Sequence, residues 1–168
     1  MTAPLVIIAV RGEPAGQGNL RTGPKHGKAY HANSKDLSPW RERVRGAALD
    51  VLGAHEFRPP TGEDRRLALP CDECGTYRTQ HATLLGPVRL EAVVTVRRLK
   101  SVTAKWPVTR SSSDWDHYAR AICDALTGVI YVDDSQIIDG RVITTYPHVH
   151  QHALGEPGAV IRIWNGGA

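Results

Sequence analysis

The feature that most constrains the fold is an alternating stretch in the middle of the chain, residues 87–99. Its apolar side chains occupy every second position from Val88 to Val96, and charged residues such as Arg89 and Glu91 fall between them. Because successive side chains of a strand point to opposite faces, this pattern predicts a strand with one face in a core. Such a strand needs further strands to pair with it and apolar elements to cover it.

Two segments have helical periodicity. The first, residues 34–53, is predicted as a helix with Ser38 as N-cap and Pro39 in the first helical position. Its apolar stripe, spaced by three and four, consists of Trp40, Val44, Ala47, Ala48 and Val51. The second helix is predicted from Asp114 to Leu126 and ends at Gly128.

Short apolar and β-branched runs predict the remaining strands. They are a buried strand at Leu5–Val10, a small hairpin strand at Lys28–Ala32, and strands at Gln136–Thr145 and Ala159–Trp164. Residues 54–86 lack periodicity and are interpreted as an insertion. The order of elements predicts a single α+β domain over residues 1–168, with a small mixed sheet and both helices packed on one face.

The composition excludes several classes of protein. Hydrophobic residues make up 41% and charged residues 23% of the 168 residues, as in globular domains and unlike disordered chains. The longest apolar run, Pro4–Val10, is too short to span a membrane. The N-terminus lacks a signal-peptide pattern and the three cysteines cannot all pair, so we expect a cytoplasmic protein with reduced thiols.

Charge is distributed unevenly along the chain. The whole chain carries +4, but the segment 111–140 holds six aspartates against one arginine and carries −5, which leaves +9 on the remainder. A cationic surface attracts a polyanion such as nucleic acid. An acidic region within it would repel that polyanion unless bound divalent cations neutralise the carboxylates. A solvated acidic loop is the alternative interpretation.

Two groups of basic residues are the predicted contacts to DNA phosphates. The first group follows the first strand, and the second group follows the alternating strand. Their members are Arg11, Arg21, Lys25 and Lys28, and then Arg97, Arg98, Lys100, Lys105 and Arg110. For the first group, a mobile surface loop is the alternative.

The acidic residues of the second predicted helix have a defined spacing. Asp116, Arg120 and Asp124 are four residues apart and therefore line one helix face. Asp114 and Asp116 lie at the helix N-terminus, where the helix dipole favours negative charge. A ladder of salt bridges from Asp116 through Arg120 to Asp124 is the purely structural interpretation.

A metal site is the functional interpretation of the same residues. Asp133 and Asp134 follow the helix after a tight connection, and this connection allows them to return to its start. Carboxylates gathered in a small space repel one another and raise one another's pKa, so cations stabilise the arrangement. Oxygen ligands without sulfur suit Mg²⁺ or Mn²⁺.

This segment resembles the RusA family of Holliday-junction resolvases, which occurs in bacteria and their phages. The shared features are an Asp-x-Asp pair, an Asp-Ala-Leu run before a glycine, and an Asp-Asp-x-Gln motif. In this chain they are Asp114 and Asp116, Asp124-Ala125-Leu126 with Gly128, and Asp133-Asp134-Ser135-Gln136. A looser resemblance covers Val10-Arg11-Gly12-Glu13-Pro14 and Pro39-Trp40, and it omits about residues 54–86.

The resemblance implies a homodimer that binds branched DNA and nicks paired strands of four-way junctions with Mg²⁺. Asp114, Asp116 and Asp134 match the catalytic, metal-binding carboxylates, and Asp133 matches a supporting neighbour in the metal site. Arg120 stands in place of a catalytic lysine and His117 in place of an asparagine; we expect Arg120 to offset transition-state charge. The guanidinium of arginine is a planar fork, whereas the ammonium of lysine is a compact point charge, so the replacement can weaken catalysis. The alternative function is therefore binding of junctions, by a protein of the same fold, without cutting them.

The insertion contains half of a possible zinc site. Cys71 and Cys74 have CxxC spacing, His81 is a third ligand, and His55 or Cys123 is a fourth. A second CxxC is missing, so a plain surface loop is the alternative. Zinc binding here would favour a third function besides junction cleavage and junction binding, namely that of a zinc-stabilised protein-interaction module.

Five further residues have two interpretations each. His148, His150 and His152 alternate and are interpreted as a solvated strand end. If the stretch is extended, they share one face, and binding of a transition metal or of DNA phosphates is the alternative. Trp115 and Tyr118 flank the acidic motif and are interpreted as packed side chains, with stacking on an unpaired base as the alternative.

Overall fold

The computed structural model describes residues 3–22, 29–52, 84, 86–108 and 113–167. The strands are β1 (Val6–Arg11), β2 (Leu20–Thr22), β3 (Ala29–His31), β4 (Val88–Thr95), β5 (Ile137–Thr145) and β6 (Gly158–Asn165), and the helices are α1 (Ser34–Leu52) and α2 (Trp115–Leu126). A 3-10 turn, Asp134–Gln136, precedes β5. Seven residues of the predicted sites lie outside the described residues, namely Cys71, Cys74, His81, His55, Lys25, Lys28 and Arg110, and so does most of the predicted insertion at about 54–86.

The alternating segment forms β4, a central strand of a four-stranded mixed sheet with the order β1-β6-β4-β5. β4 runs parallel to β5 and antiparallel to β6, and β6 runs antiparallel to β1. In register, Ile8 of β1 lies beside Ile161 of β6, which lies beside Ala92 of β4. β2 and β3 form a separate antiparallel hairpin, as the sequence predicts. The predicted α+β class with a mixed sheet is confirmed.

Both helices cover the same face of the sheet. α1 packs against α2 and β1, and α2 also packs against β5. The helices contribute Leu37, Trp40, Val44, Ala48, Tyr118, Ala121, Ile122, Ala125 and Leu126 to one apolar cluster. The strands contribute alternate residues to it, namely Ile8, Val10, Val88, Leu90, Ala92, Val94, Ala159, Ile161 and Ile163. In the described part of the chain, no helix combines the length and apolarity that a membrane span requires.

The range of α1 agrees with the predicted residues 34–53, but the predicted N-cap is wrong. The helix already includes Ser34, so Ser38 does not cap it and Pro39 lies inside it. The reason is Leu37, which is buried three residues before Trp40 and extends the apolar stripe in the N-terminal direction. At the other end of the stripe, Val51 is exposed, so it does not belong to the core.

β1 is an edge strand instead of a fully buried one. Ile8 and Val10 face the helices and are buried, but Leu5 and Ile7 are exposed. The run from Leu5 to Val10 is apolar throughout, and such a run does not reveal how many faces of a strand are covered. Because the helices cover one face of β1, its other face meets solvent.

The opposite face of the sheet carries charged pairs. Glu91 of β4 accepts a hydrogen bond from its register partner Arg162 of β6. Arg89 forms a 3.2 Å ion pair with Asp139 of β5, and its guanidinium lies 4.9 Å from the centre of the Trp164 ring. These charged side chains of β4 are therefore held by partners on both neighbouring strands.

The segment between β5 and β6 is a series of turns. His148 has a φ of 63°, and the backbone N–H of His152 donates to Nδ1 of His150 at 3.2 Å. The backbone N–H of Leu154 donates to Oγ1 of Thr95. The alternative in which the three histidines share one face of an extended segment is therefore wrong, because turns interrupt the backbone over residues 147–152.

Candidate metal and nucleic-acid site

The candidate site lies at the start of α2, where Asp114 is the N-cap residue. Its backbone is extended, and its carbonyl oxygen accepts hydrogen bonds from the backbone N–H groups of His117 and Tyr118. An aspartate at this position ordinarily accepts such a bond with its side chain, but the Asp114 side chain accepts no capping hydrogen bond. The carboxylate of Asp114 is therefore available to another ligand.

The buried face of α2 fixes the orientation of this end of the helix. Tyr118 is buried within the core cluster, and its hydroxyl is hydrogen-bonded to Ser113. Burial raises the pKa of Tyr118 above its usual value. The prediction that Tyr118 is packed is thus confirmed. The prediction that Trp115 is packed is wrong, because 63% of Trp115 is exposed beside the acidic residues.

Three side chains converge on the outer face of this first turn. Asp114, Asp116 and His117 each offer one ligand atom, and these atoms all lie within 4.8 Å of one another. Asp114 is exposed, and the other two are half-buried. We call these three residues the Asp-His cluster.

Arg120 neutralises one carboxylate of the Asp-His cluster. Nη2 of Arg120 lies 2.5 Å from Oδ2 of Asp116, one helical turn away. Hydrogen bonding to this guanidinium holds the pKa of Asp116 below its usual value. Asp116 is therefore ionised at neutral pH and able to accept a cation.

Only the first half of the predicted salt-bridge ladder forms. Asp124 pairs with Arg41 of α1 rather than with Arg120. Arg41 also donates to the side-chain oxygen of Gln17, in the loop after β1. Because the contact crosses between two helices, helical spacing within α2 does not reveal it.

The loop after β1 packs directly against the Asp-His cluster. The backbone N–H of Gln17 donates to the carbonyl oxygen of His117 at 2.8 Å. A Cβ atom on Gly16 would lie 2.9 Å from the Cβ atoms of both Ser113 and His117, so only glycine fits at this approach. Asn33 holds the same loop by donating to the carbonyl oxygen of Gly16 at 2.6 Å.

Sequence reasoning missed the positioning roles of Gly16, Gln17, Asn33 and Arg41. The glycine in a polar loop was an available signal for a close backbone approach. The position of Arg41 on the polar flank of the first predicted helix was a second available signal, for a contact between elements. Neither signal identifies the partner, because the partners come from elements distant in the sequence.

Asp133 and Asp134 lie beyond the opposite end of α2. The Asp133 side chain caps its own turn, with Oδ1 accepting from the Ser135 backbone N–H at 3.0 Å, and this bond lowers the pKa of Asp133. The Gln136 amide donates to the carbonyl oxygens of Leu84 and Gly86 at 2.8 Å. Neither aspartate belongs to the Asp-His cluster. Their roles as metal ligands remain predictions.

Two of the predicted DNA contacts pair with acidic residues. Arg97 forms a 3.2 Å ion pair with Glu13 of the loop after β1, and both side chains are more than half exposed. Arg11 pairs with Glu156. The pair between Arg97 and Glu13 places Arg97 beside the loop that contacts the Asp-His cluster.

The other described members of the basic groups lie at the surface. Arg98 donates to the carbonyl oxygens of Val102 and Thr103, so it orders the loop after β4. Nζ of Lys105 lies 6.0 Å from the ring centre of Trp106. Arg21 and Lys100 are exposed. Contact of any of these residues with DNA remains a prediction.

Comparisons with known proteins bear on the part of the chain that holds this site. Residues 75–163 match the family described as "Endodeoxyribonuclease RusA". The matched range contains β4, α2, β5 and most of β6. The chain is also similar to the uncharacterized protein YqaN of Bacillus subtilis (strain 168), with 26% identity over 151 residues that cover 84% of this chain and 87% of that relative.

Proposed function

Because the chain belongs to the RusA family of endodeoxyribonucleases, we propose that it hydrolyses phosphodiester bonds of branched DNA, four-way junctions above all, with a divalent metal ion. The observation that carries this proposal is the Asp-His cluster at the start of α2, inside the range that matches the family. The acidic segment lies in an otherwise cationic chain, which suits a metal site that meets DNA.

The donor set fits the metal that the family implies. Asp114 and Asp116 provide two carboxylates whose oxygens come close together, and both remain accessible. Hard oxygen ligands of this kind suit Mg²⁺, with Mn²⁺ as a substitute. When bound, the ion supplies a more acidic water and positive charge near the scissile phosphate. We include Asp134, supported by Asp133, as a further ligand on the basis of the motif match.

Arg120 has two roles in this proposal. In the absence of DNA it holds the Asp116 carboxylate at 2.5 Å and fixes its rotamer. Half of its side chain is exposed, so the guanidinium can also meet a phosphate oxygen and offset the negative charge of the transition state. Arginine stays protonated in proteins, so Arg120 does not serve as a proton donor to the leaving oxygen.

The proposal extends to the whole molecule. Residues 1–168 act as one domain with an insertion at about 54–86, and two copies form a homodimer. Two-fold symmetry then presents two equivalent sites to opposed strands of a junction. Arg97 pairs with Glu13 of the loop that contacts the Asp-His cluster, so we include it as a contact to a phosphate near the cut.

The experiment is cleavage of a synthetic four-way junction by wild type and by Asp116→Asn in the presence of Mg²⁺. We expect the variant to lose at least about a hundredfold in cleavage rate, because one charged ligand is removed without a change in size. Asp139→Asn is the matched control, since Asp139 is exposed and pairs with Arg89 on the opposite face. Equal cutting by wild type and Asp116→Asn would refute the proposal.

The alternative is a protein that binds junctions but does not cut them. The ion pair between Arg120 and Asp116 favours it, because that guanidinium is already engaged at the position where the family has a lysine. Arg120→Lys separates the two functions. Cleavage by wild type supports the nuclease, whereas cleavage that appears only in Arg120→Lys supports the binding protein.

A further inference from the structure

We propose that His117 is a direct ligand of the metal ion, which makes this site more selective for Mn²⁺ over Mg²⁺ than a carboxylate site would be. The inference rests on the proposed function, since it concerns the same ion. The carrying observation is that one ring nitrogen of His117 lies within 4.8 Å of carboxylate oxygens of both Asp114 and Asp116. Three donor atoms at such separations can share one ion.

The neighbouring contacts hold the His117 backbone in place. Its carbonyl oxygen accepts from Gln17 and its N–H donates to the carbonyl oxygen of Asp114, so both polar backbone groups are occupied. Gly16 approaches its Cβ atom closely. The ring therefore projects from a backbone that is held from two sides.

The two aspartates are also free to serve as ligands. The Asp114 side chain accepts no capping hydrogen bond although it occupies the N-cap position. Arg120 contacts Oδ2 of Asp116, which leaves the second oxygen of that carboxylate for an ion. Among the described residues, the three donors thus have few competing contacts.

An imidazole nitrogen changes which ion the site prefers. Mg²⁺ is hard and favours oxygen ligands, whereas transition ions accept imidazole nitrogen more readily. Mn²⁺ accepts carboxylate oxygens as Mg²⁺ does, so it can use the whole donor set. An asparagine at position 117 would supply only an amide oxygen and would remove this preference.

The test uses the full-length protein with Mn²⁺ as the probe and detects the nucleus of the ligand atom by its magnetic coupling to the ion. Electron spin-echo envelope modulation of the bound Mn²⁺ detects coupling to a nitrogen in its ligand shell. We expect ¹⁴N coupling in wild type, its replacement by ¹⁵N coupling after ¹⁵N-histidine labelling, and its loss in His117→Asn. We also expect the Kd for Mn²⁺ to rise about tenfold or more in that variant, with a smaller change for Mg²⁺.

His148→Asn is the matched control. His148 is exposed, and its φ of 63° is a conformation that asparagine tolerates, so this variant should keep both the fold and the coupling. The labelled wild type keeps the test decisive if His117→Asn fails to fold. Mn²⁺ bound without histidine coupling would overturn the inference.

Asp116→Asn separates this inference from the proposed function. If Asp116→Asn abolishes Mn²⁺ binding while wild type shows no nitrogen coupling, the carboxylate site stands and the role of His117 is wrong. If wild type binds neither Mn²⁺ nor Mg²⁺, both the inference and the proposed function fail.

Discussion

Gly16 is the residue of the loop after β1 that approaches the Asp-His cluster most closely in the described contacts to His117 and Ser113. Its backbone lies so close to Ser113 and His117 that a methyl group would require both to move. The Asp-x-Asp pair could be predicted from the sequence, because its residue types and spacing carry the chemistry. The role of Gly16 could not be, because a contact between residues about one hundred positions apart leaves no local pattern.

Gly16→Ala should lower the free energy of unfolding by about 1–3 kcal/mol, because the added methyl group overpacks a tight contact. It should also weaken binding of a divalent ion by displacing His117. Urea unfolding measures the first effect and calorimetric titration the second. Gly46→Ala is the control: nothing lies within 4 Å of a Cβ at Gly46, and alanine is the better helix former. Equal stability of Gly16→Ala and wild type would contradict the described contact.

Cys123 is a second residue whose environment is defined by the fold. Burial raises the pKa of its thiol to about 11 from an ordinary value of 9.0. It is therefore assigned to the packed side of α2, as the apolar face of that helix suggests, and it is not a reactive thiol at neutral pH.

Alkylation of Cys123 by iodoacetamide at pH 8 should be about a hundredfold slower in the folded protein than in urea, because the thiolate is the reactive form. Peptide mapping distinguishes it from the other two cysteines. Between about pH 9 and pH 11 the Cys123 thiol keeps its proton in the folded protein, whereas it loses the proton in the unfolded chain. The free energy of unfolding should therefore decline as pH rises through that range. Equal alkylation rates in the two states would show that the thiol is not buried.

At the scale of elements, α2 connects the core to the site. Its buried side packs against α1 and β5, and its outer side carries Asp116, Arg120 and Asp124. The helical pattern predicts which side chains share the outer face. It does not predict which partner Asp124 takes, because that depends on where α1 lies, and the structure supplies Arg41.

The contact between Arg41 and Asp124 should stabilise the packing of α1 on α2. A double-mutant cycle with Arg41→Ala and Asp124→Ala, followed by urea unfolding, should give a coupling of about 0.5–1 kcal/mol. The two side chains are 27% and 40% exposed, so solvent screens them only in part. The pair of Arg97 and Glu13 is the control, at 69% and 53% exposure, and should couple less. A larger coupling in the control pair would contradict this account.

At the scale of the whole molecule, local patterns predicted the fold class but not the strand order. The alternation in β4 and the two amphipathic helices were sufficient to expect helices on one face of a mixed sheet. The last strand, β6, lies between β1 and β4, and no local pattern specifies that position. The exposed face of β1 was missed for the same reason, because burial depends on which strands and helices are neighbours.

The central claim is that Asp114 and Asp116 hold a divalent ion where branched DNA is cut. Fe²⁺ substituted for the ion, with ascorbate and peroxide, generates hydroxyl radicals that cut whatever lies beside it. With a four-way junction bound, we predict polypeptide cuts near residues 114–117 and DNA cuts near the branch point. Mg²⁺ should suppress both kinds of cut, and Asp116→Asn should lack them. Cuts elsewhere in the chain, or an unchanged pattern in Asp116→Asn, would contradict the claim.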